Sequence, residues 1–176
     1  TINFGACLPQ LLNTLIGNDA STSMEAKLVD LPQSFERQFA GPRFGVRGLR
    51  ELTGVSDRPL LLNMLKPCTG LAPSDAAAIF RATALGGIDL IKDDELMGTT
   101  PYLTVLERVK LFTTAADVAY ESTGVRTVYL PNISDRPDRM LETAQRAVEA
   151  GARVLIVAYT TVGLGSVEML ADAVGV

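Results

Sequence analysis

The sequence predicts an α/β chain organised around a parallel sheet, and three observations predict it. From residue 59 onward, short and nearly continuous apolar runs recur at 59–65, 88–91, 125–130 and 153–158. Runs without polar alternation suit strands covered on both faces, as in parallel sheets. The segments between the runs carry apolar residues at spacings of three and four, and each closes on glycine before the next run begins.

Residues 1–54 form a separate stretch. Residues 8–16 read as a short helix, 26–31 as a strand and 34–39 as a helical turn, and 44–52 as a helix stopped by Gly54. This stretch is expected to be the end of a small α/β domain and a linker helix that covers the bottom of the repeating units, with Gly41-Pro42 at the junction. Residues 55–176 carry those units. After the first run, Ser74 is placed as the cap of a helix with Ala76, Ile79, Phe80 and Thr83 on its apolar face. After the second, Pro101 comes directly after Thr100 as the first residue of a longer helix, whose face is Tyr102, Val105, Leu106, Val109, Phe112, Ala116 and Ala119. A third helix carries Met140, Leu141, Ala144, Ala147 and Val148, and a fourth starts near Ser166. Alternation of this kind implies right-handed crossovers. Four such units are half of a (β/α)8 barrel, which takes about 250 residues; a small open doubly wound sheet accommodates them equally well.

Composition narrows the function. The chain has 176 residues, 47% apolar and 20% charged, which is ordinary for a globular domain. Sixteen Lys and Arg against twenty Asp and Glu give a net charge of −4, the wrong sign for binding a nucleic-acid backbone. There is no histidine, so a Ser-His-Asp triad, a Cys-His dyad and a His-ligated zinc are excluded for this chain alone. Cys7 and Cys68 have no metal-ligand spacing and make no disulfide framework, which points to a reducing cytoplasm. The longest apolar stretch, 154–159, is too short to cross a membrane. The first residues, Thr1-Ile2-Asn3-Phe4, lack both the initiator Met and the pattern of a signal peptide, so processing or truncation is expected.

In parallel α/β folds the carboxyl ends of the strands converge on one site. There stand Lys66-Pro67-Cys68-Thr69-Gly70, Lys92-Asp93-Asp94-Glu95, Pro131-Asn132, and Tyr159 with Gly163-Leu164-Gly165 beyond it. A charge run such as the second is ordinarily a solvated face. At a strand end its carboxylates instead suit a hard cation such as Mg²⁺, which keeps positions open for substrate oxygens. Lys92 joins such a set only as an anion, for instance a carbamate formed with CO₂. Lys66 reads as a lysine in an electropositive site near the metal, where neighbouring positive charge and desolvation would lower its pKa and suit it to move a proton. Cys68, with no histidine to activate it, reads as a packed residue. The Gly163-Leu164-Gly165-Ser166 loop is a weak anion-binding signal.

Four segments, in order and spacing, then carry a resemblance: Gly41-Pro42-Arg43-Phe44-Gly45-Val46, Arg58-Pro59-Leu60-Leu61, Leu65-Lys66-Pro67 and Gly86-Gly87-Ile88-Asp89-Leu90-Ile91-Lys92-Asp93-Asp94-Glu95. Together they resemble the RuBisCO superfamily over nearly the whole chain, including Gly17-Asn18. The resemblance implies a (β/α)8 (TIM) barrel, of which the first four βα units are present, preceded by part of a small α/β domain. It also implies a head-to-tail homodimer or higher homo-oligomer with sites at the subunit interface. Lys92 matches the carbamylated lysine, and Asp94 and Glu95 match the carboxylates that hold Mg²⁺ with it. Lys66 matches the lysine that handles protons in enolisation, and Asn18 an asparagine that reaches the partner's site. Asn132, at the third strand end, is placed with the substrate.

Departures from the family pattern point to the non-carboxylating, RuBisCO-like branch. Cys68 stands where carboxylases have a second lysine, Met64 where they have a threonine and Gly98 where they have an asparagine. The later strands that supply histidines, a mobile-loop lysine and phosphate-binding glycines have no counterpart in these 176 residues. The expected function is therefore Mg²⁺-dependent enolisation of a phosphorylated, ketose-like substrate, of the tautomerase or isomerase type. Carboxylation or decarboxylation of a sugar phosphate and a non-catalytic half-barrel are the alternatives.

Overall fold

The computed structural model describes residues 7–12, 30–39, 41, 43–98 and 100–175. They fall into two compact units, one of residues up to Arg43 together with Tyr159–Gly175, the other Phe44–Ala158. The elements run α1 (Leu8–Leu12), α2 (Gln33–Glu36), α3 (Gly45–Thr53), β1 (Leu62–Met64), α4 (Pro73–Leu85), β2 (Leu90–Lys92), a 3₁₀ turn (Glu95–Met97), α5 (Val105–Thr123), β3 (Val128–Leu130), α6 (Pro137–Glu149), α7 (Tyr159–Val162) and α8 (Leu164–Ala173).

In the first-named unit, α1 is joined to α8 by the Leu8 N–H, which donates to the Glu168 carboxylate at 3.1 and 3.3 Å. The strand expected over 26–31 lies mainly outside the described residues, and Asp30 and Leu31 are not in a strand. The loop expected after the fourth apolar run is instead the short helix α7. The helix expected to start at Ser166 begins two residues earlier, with Gly163 as its N-cap at φ +84°.

The other unit contains a parallel sheet in the order β1-β2-β3. The fourth apolar run does not extend it as a named strand. It makes one parallel bridge, Asn132 to Ile156, with the Ile156 N–H donating to Pro131 and the Ile133 N–H to Ile156. The reason is local: a bridge one step earlier needs an N–H from residue 131, and proline has none. One step later the Ala158 N–H is taken by the Ser134 hydroxyl at 2.8 Å.

Two helix starts also differ from expectation. Ala72 rather than Ser74 is the N-cap of α4, because Pro73 brings a helical φ one residue earlier. Pro101 lies in a turn, and α5 starts after Thr104. There the Thr104 hydroxyl caps the Glu107 N–H while the Glu107 carboxylate caps Thr104. Helices α3 and α5 stop at Gly54 and Gly124, both left-handed, as the sequence predicts.

The sheet separates two apolar layers. On one face Leu90, Val128 and Leu130 pack with Leu52, Leu60, Val154 and Ile156. On the other, Ile91 and Tyr129 meet the helices. Phe80 of α4 and Phe112 of α5 stack at 4.8 Å, and Tyr129 stands edge-on to both at 5.7 and 5.0 Å. At the amino end of β2, buried Asp89 accepts two 2.7 Å bonds from Arg58 and one from the Leu61 N–H, tying the approach of β1 to β2. Among the described residues, no helix is long and apolar enough to cross a membrane.

Candidate active site

Strand register builds the site. Met64 is level with Lys92, and Lys92 with Leu130. Two residues further along each strand, Lys66, Asp94 and Asn132 form the next row, just past the carboxyl ends. Side chains alternate across a strand, so Lys92 shares a face with Leu90, while Asp93 shares the opposite face with Ile91 and points to the helices.

The charged tetrapeptide is therefore divided by its own geometry. Asp94 Oδ2 accepts a 2.5 Å bond from Lys66 Nζ, and its Oδ1 accepts from the Leu96 N–H at 2.9 Å. Glu95 Oε1 accepts from Lys92 Nζ at 2.5 Å. The side chain of Asp94 is 8% exposed, that of Lys92 21% and that of Glu95 60%. Lys66 and the three residues expected to hold a cation thus meet at one end of the sheet.

The pairing shifts Asp94, Glu95 and Lys66. The Lys66 hydrogen bond, helped by the Leu96 N–H, holds the Asp94 carboxyl below the usual range, and the Lys92 bond does the same for Glu95. Lys66 is raised, because its bond to Asp94 outweighs the cost of burial. Lys66 faces a carboxylate here, and that contact favours the ammonium; the lowered pKa expected from sequence belongs to the site with a cation beside it.

Asp93 belongs to a different cluster. It is buried, as are Arg108 of α5 and Asn132. Arg108 Nε donates to Asp93 Oδ2 at 3.1 Å. The rest of its guanidinium donates to the Thr100 hydroxyl and to the carbonyls of Leu103, Met97, Gly98 and Asn132. Tyr129 donates its hydroxyl to Asp93 Oδ1 at 2.7 Å, and the Asn132 N–H donates to Oδ2 at 2.9 Å. Burial raises the Asp93 pKa against the opposing pull of Arg108, Tyr129 and the Asn132 N–H. The sequence held a signal for this hub. Arg108 lies three residues after Val105 and four before Phe112, on the apolar stripe of its helix, where an unpaired guanidinium is excluded.

Asn132 is put to a different use from the substrate contact expected of it. Its Nδ2 donates to the carbonyls of Asp94 and Glu95 at 3.2 and 3.0 Å, its Oδ1 accepts from the Ser134 N–H, and it is fully buried. Both side-chain N–H groups are spent on the chain itself. Asn18 lies outside the described residues. Cys68 is a free thiol lining a small apolar pocket with Leu71, Ile79, Met97 and Tyr102, which fits a packing role.

In this arrangement two carboxylates face two ammonium groups. That donor set fits a divalent cation only when Lys92 becomes an anion, as a carbamate does. Conversion would release Glu95 from its present partner and leave three oxygen-bearing side chains on one short segment.

Residues 45–175 match the family model described as the ribulose bisphosphate carboxylase large chain, catalytic domain. The chain belongs to the RuBisCO large-chain family. It is 41% identical over 172 residues to a ribulose bisphosphate carboxylase-like protein of Archaeoglobus fulgidus, covering 97% of this chain and 39% of that one. It is 40% identical over 174 residues to the 2,3-diketo-5-methylthiopentyl-1-phosphate enolase of Geobacillus thermodenitrificans, covering 98% and 42%. Among solved structures, a rubisco-like protein (MtnW) from Alicyclobacillus acidocaldarius superposes with a TM-score of 0.88 at 35% identity, covering 97% and 43%. The octameric ribulose-1,5-bisphosphate carboxylase/oxygenase of Pyrococcus horikoshii gives 0.85 at 31%, covering 96% and 41%. The chain thus spans about two fifths of the length of the curated RuBisCO-like relatives it matches.

Proposed function

We propose that this RuBisCO-like chain supplies the cation-binding half of an enzyme that enolises a phosphorylated, ketose-like substrate. On this reading its strands are the first units of a (β/α)8 barrel, residues 55–176, after the end of an N-terminal domain, residues 1–54. The observation that carries the proposal is the shared row of Lys66 and Asp94, with Lys92 and Glu95 beside them at the carboxyl end of a parallel sheet. The likeness to an enolase acting on 2,3-diketo-5-methylthiopentyl-1-phosphate supports a methylthio-sugar phosphate as the substrate class.

Lys92, as a carbamate, would hold Mg²⁺ with Asp94 and Glu95. The cation would polarise the substrate carbonyl and its neighbouring hydroxyl, acidify the α-proton and stabilise the enediolate. A base must take that α-proton: the candidates are Lys66 Nζ, once it has given up the proton with which it now bonds Asp94 at 2.5 Å, and the Lys92 carbamate, and the same proton delivered elsewhere on the substrate completes a tautomerisation. The Lys66 ammonium would also attract an anionic phosphorylated substrate. Asn18 is proposed to reach a partner subunit's site in a homo-oligomer, consistent with the octameric assembly of the Pyrococcus protein. The two free thiols suit a reducing compartment.

Exchange of the substrate α-proton with solvent deuterium tests the role of Lys66. Lys66→Ala should abolish it, and unchanged exchange would refute the assignment. Carboxylation or decarboxylation through the same enediolate is the second reading, favoured by the likeness to the Pyrococcus carboxylase. Uptake or release of labelled CO₂ separates the two. Cys68, Met64 and Gly98, which depart from the carboxylase pattern, favour the enolase.

A further inference from the structure

We infer that Asn132 is a positioning residue: from the tip of β3 it fixes the main chain of Asp94 and Glu95, and so sets where their two carboxylates stand. The cation in this inference rests on the proposed function; the geometry stands independently.

Within the segment 94–98 the Leu96 N–H donates to Asp94 Oδ1 at 2.9 Å and the Met97 N–H to the Asp94 carbonyl at 3.0 Å, and its anchoring to the rest of the unit comes from elsewhere. Its 3₁₀ turn is only three residues long, Leu96 is 71% exposed, and Met97 is its one buried apolar side chain. What fixes it is a set of donors aimed at its carbonyls. Asn132 Nδ2 takes those of Asp94 and Glu95, and Arg108 takes those of Met97 and Gly98. With the carbonyls drawn inward to buried donors, the Asp94 and Glu95 side chains are left to meet Lys66 and Lys92.

Asn132 is itself held firmly. Its N–H is on Asp93, its carbonyl on Arg108, and its backbone is bridged to Ile156. Its Oδ1 secures the Ser134 N–H, and the Ser134 carbonyl lies 2.5 Å from where a Cβ on Gly98 would be. One amide therefore links the end of β3 to both ends of the ligand-bearing turn. Only a planar side chain with two N–H groups and a carbonyl, at this length, meets these demands together. A buried amide tying two ligand-bearing residues to a strand acts on a metal site as outer partners generally do, through orientation.

The test compares the 176-residue chain with Asn132→Ala and with Asn132→Ser, whose smaller change guards against misfolding. Two readouts are amide hydrogen exchange without metal and Mn²⁺ binding in bicarbonate buffer. The Leu96 and Met97 amides should exchange about tenfold faster in the variants, while the Ile91 and Phe112 amides keep their protection. The Mn²⁺ dissociation constant should rise about 10–100-fold. Uniformly faster exchange, or exchange at the turn unchanged, would overturn the inference. Mn²⁺ binding that both variants leave intact would overturn it while sparing the proposed function. No Mn²⁺ binding by the unsubstituted chain would defeat the cation-site reading, and the exchange readout alone would then decide whether Asn132 fixes the turn.

Discussion

Replacing Arg108 with methionine removes a guanidinium that is completely buried and paired to a carboxylate that is also completely buried. The methionine fills much of the volume, so the loss is electrostatic rather than a cavity. Asp93 would keep the Tyr129 hydroxyl and the Asn132 N–H but lose its only cationic partner among the described residues. The Leu103, Met97 and Gly98 carbonyls would lose their guanidinium donors. Removing one member of a buried ion pair costs about 3–5 kcal/mol. For a chain of 150–250 residues each kcal/mol is worth about 2–4 °C, so melting should fall by roughly 6–20 °C.

Asp93 sets the sign of the pH dependence. Its folded pKa is already raised, so it favours the folded state less as pH climbs from the unfolded carboxylate value through the folded one. Without Arg108 that rise steepens, and protonation relieves the stranded charge. The penalty of Arg108→Met should therefore be smaller at pH 5 than at pH 7. The double variant Arg108→Met, Asp93→Asn should recover part of the loss. Urea denaturation at both pH values checks this. A loss below about 1 kcal/mol at pH 7, where a typical net hydrogen bond already reaches that size, or a penalty larger at pH 5, would refute the reasoning.

Two further outcomes are expected. Gly98→Ala would set its Cβ 2.5 Å from the Ser134 carbonyl oxygen, a backbone atom fixed through Asn132, so it should destabilise by about 1–3 kcal/mol and displace the adjoining turn; unchanged urea denaturation would contradict this. Asp89 has its pKa lowered by Arg58 and by the Leu61 N–H, so its contribution is present above the unfolded carboxylate value of about 3.9 and fades as pH falls through the folded one. Asp89→Asn should therefore lower stability at neutral pH and flatten the acid limb of a pH–stability curve, which thermal melts between pH 3 and 7 would reveal.

Much of the arrangement was legible in the residues. Period and glycine placement located β1, β2 and β3 and the helices between them, and the strand ends located Lys66, Lys92, Asp94 and Glu95. What was hidden depended on neighbours distant in the chain. Pro131 stands just beyond the third run in the sequence, and only the neighbour the fold gives it shows why its missing N–H limits the fourth run to a single bridge. Asn132 looks like any polar residue at a strand tip, and its amide is committed only because the register puts Asp94 beside it. Likewise the Lys66 pKa was inferred from the charge of an anticipated cation, whereas its neighbour in the fold is a carboxylate. Thr104 displaced Pro101 as the start of α5 because its reciprocal bond with Glu107 is the stronger local signal.

Lys92 must become an anion to complete an oxygen donor set with Asp94 and Glu95. Carbon-13 NMR of the protein equilibrated with labelled bicarbonate and Mg²⁺ addresses this directly. A carbamate carbon resonance that requires Lys92, weakens when Mg²⁺ is chelated and vanishes in Lys92→Met is the predicted result. Absence of that resonance in the unsubstituted protein, or its persistence in Lys92→Met, would contradict the role given to Lys92 and the cation site built on it.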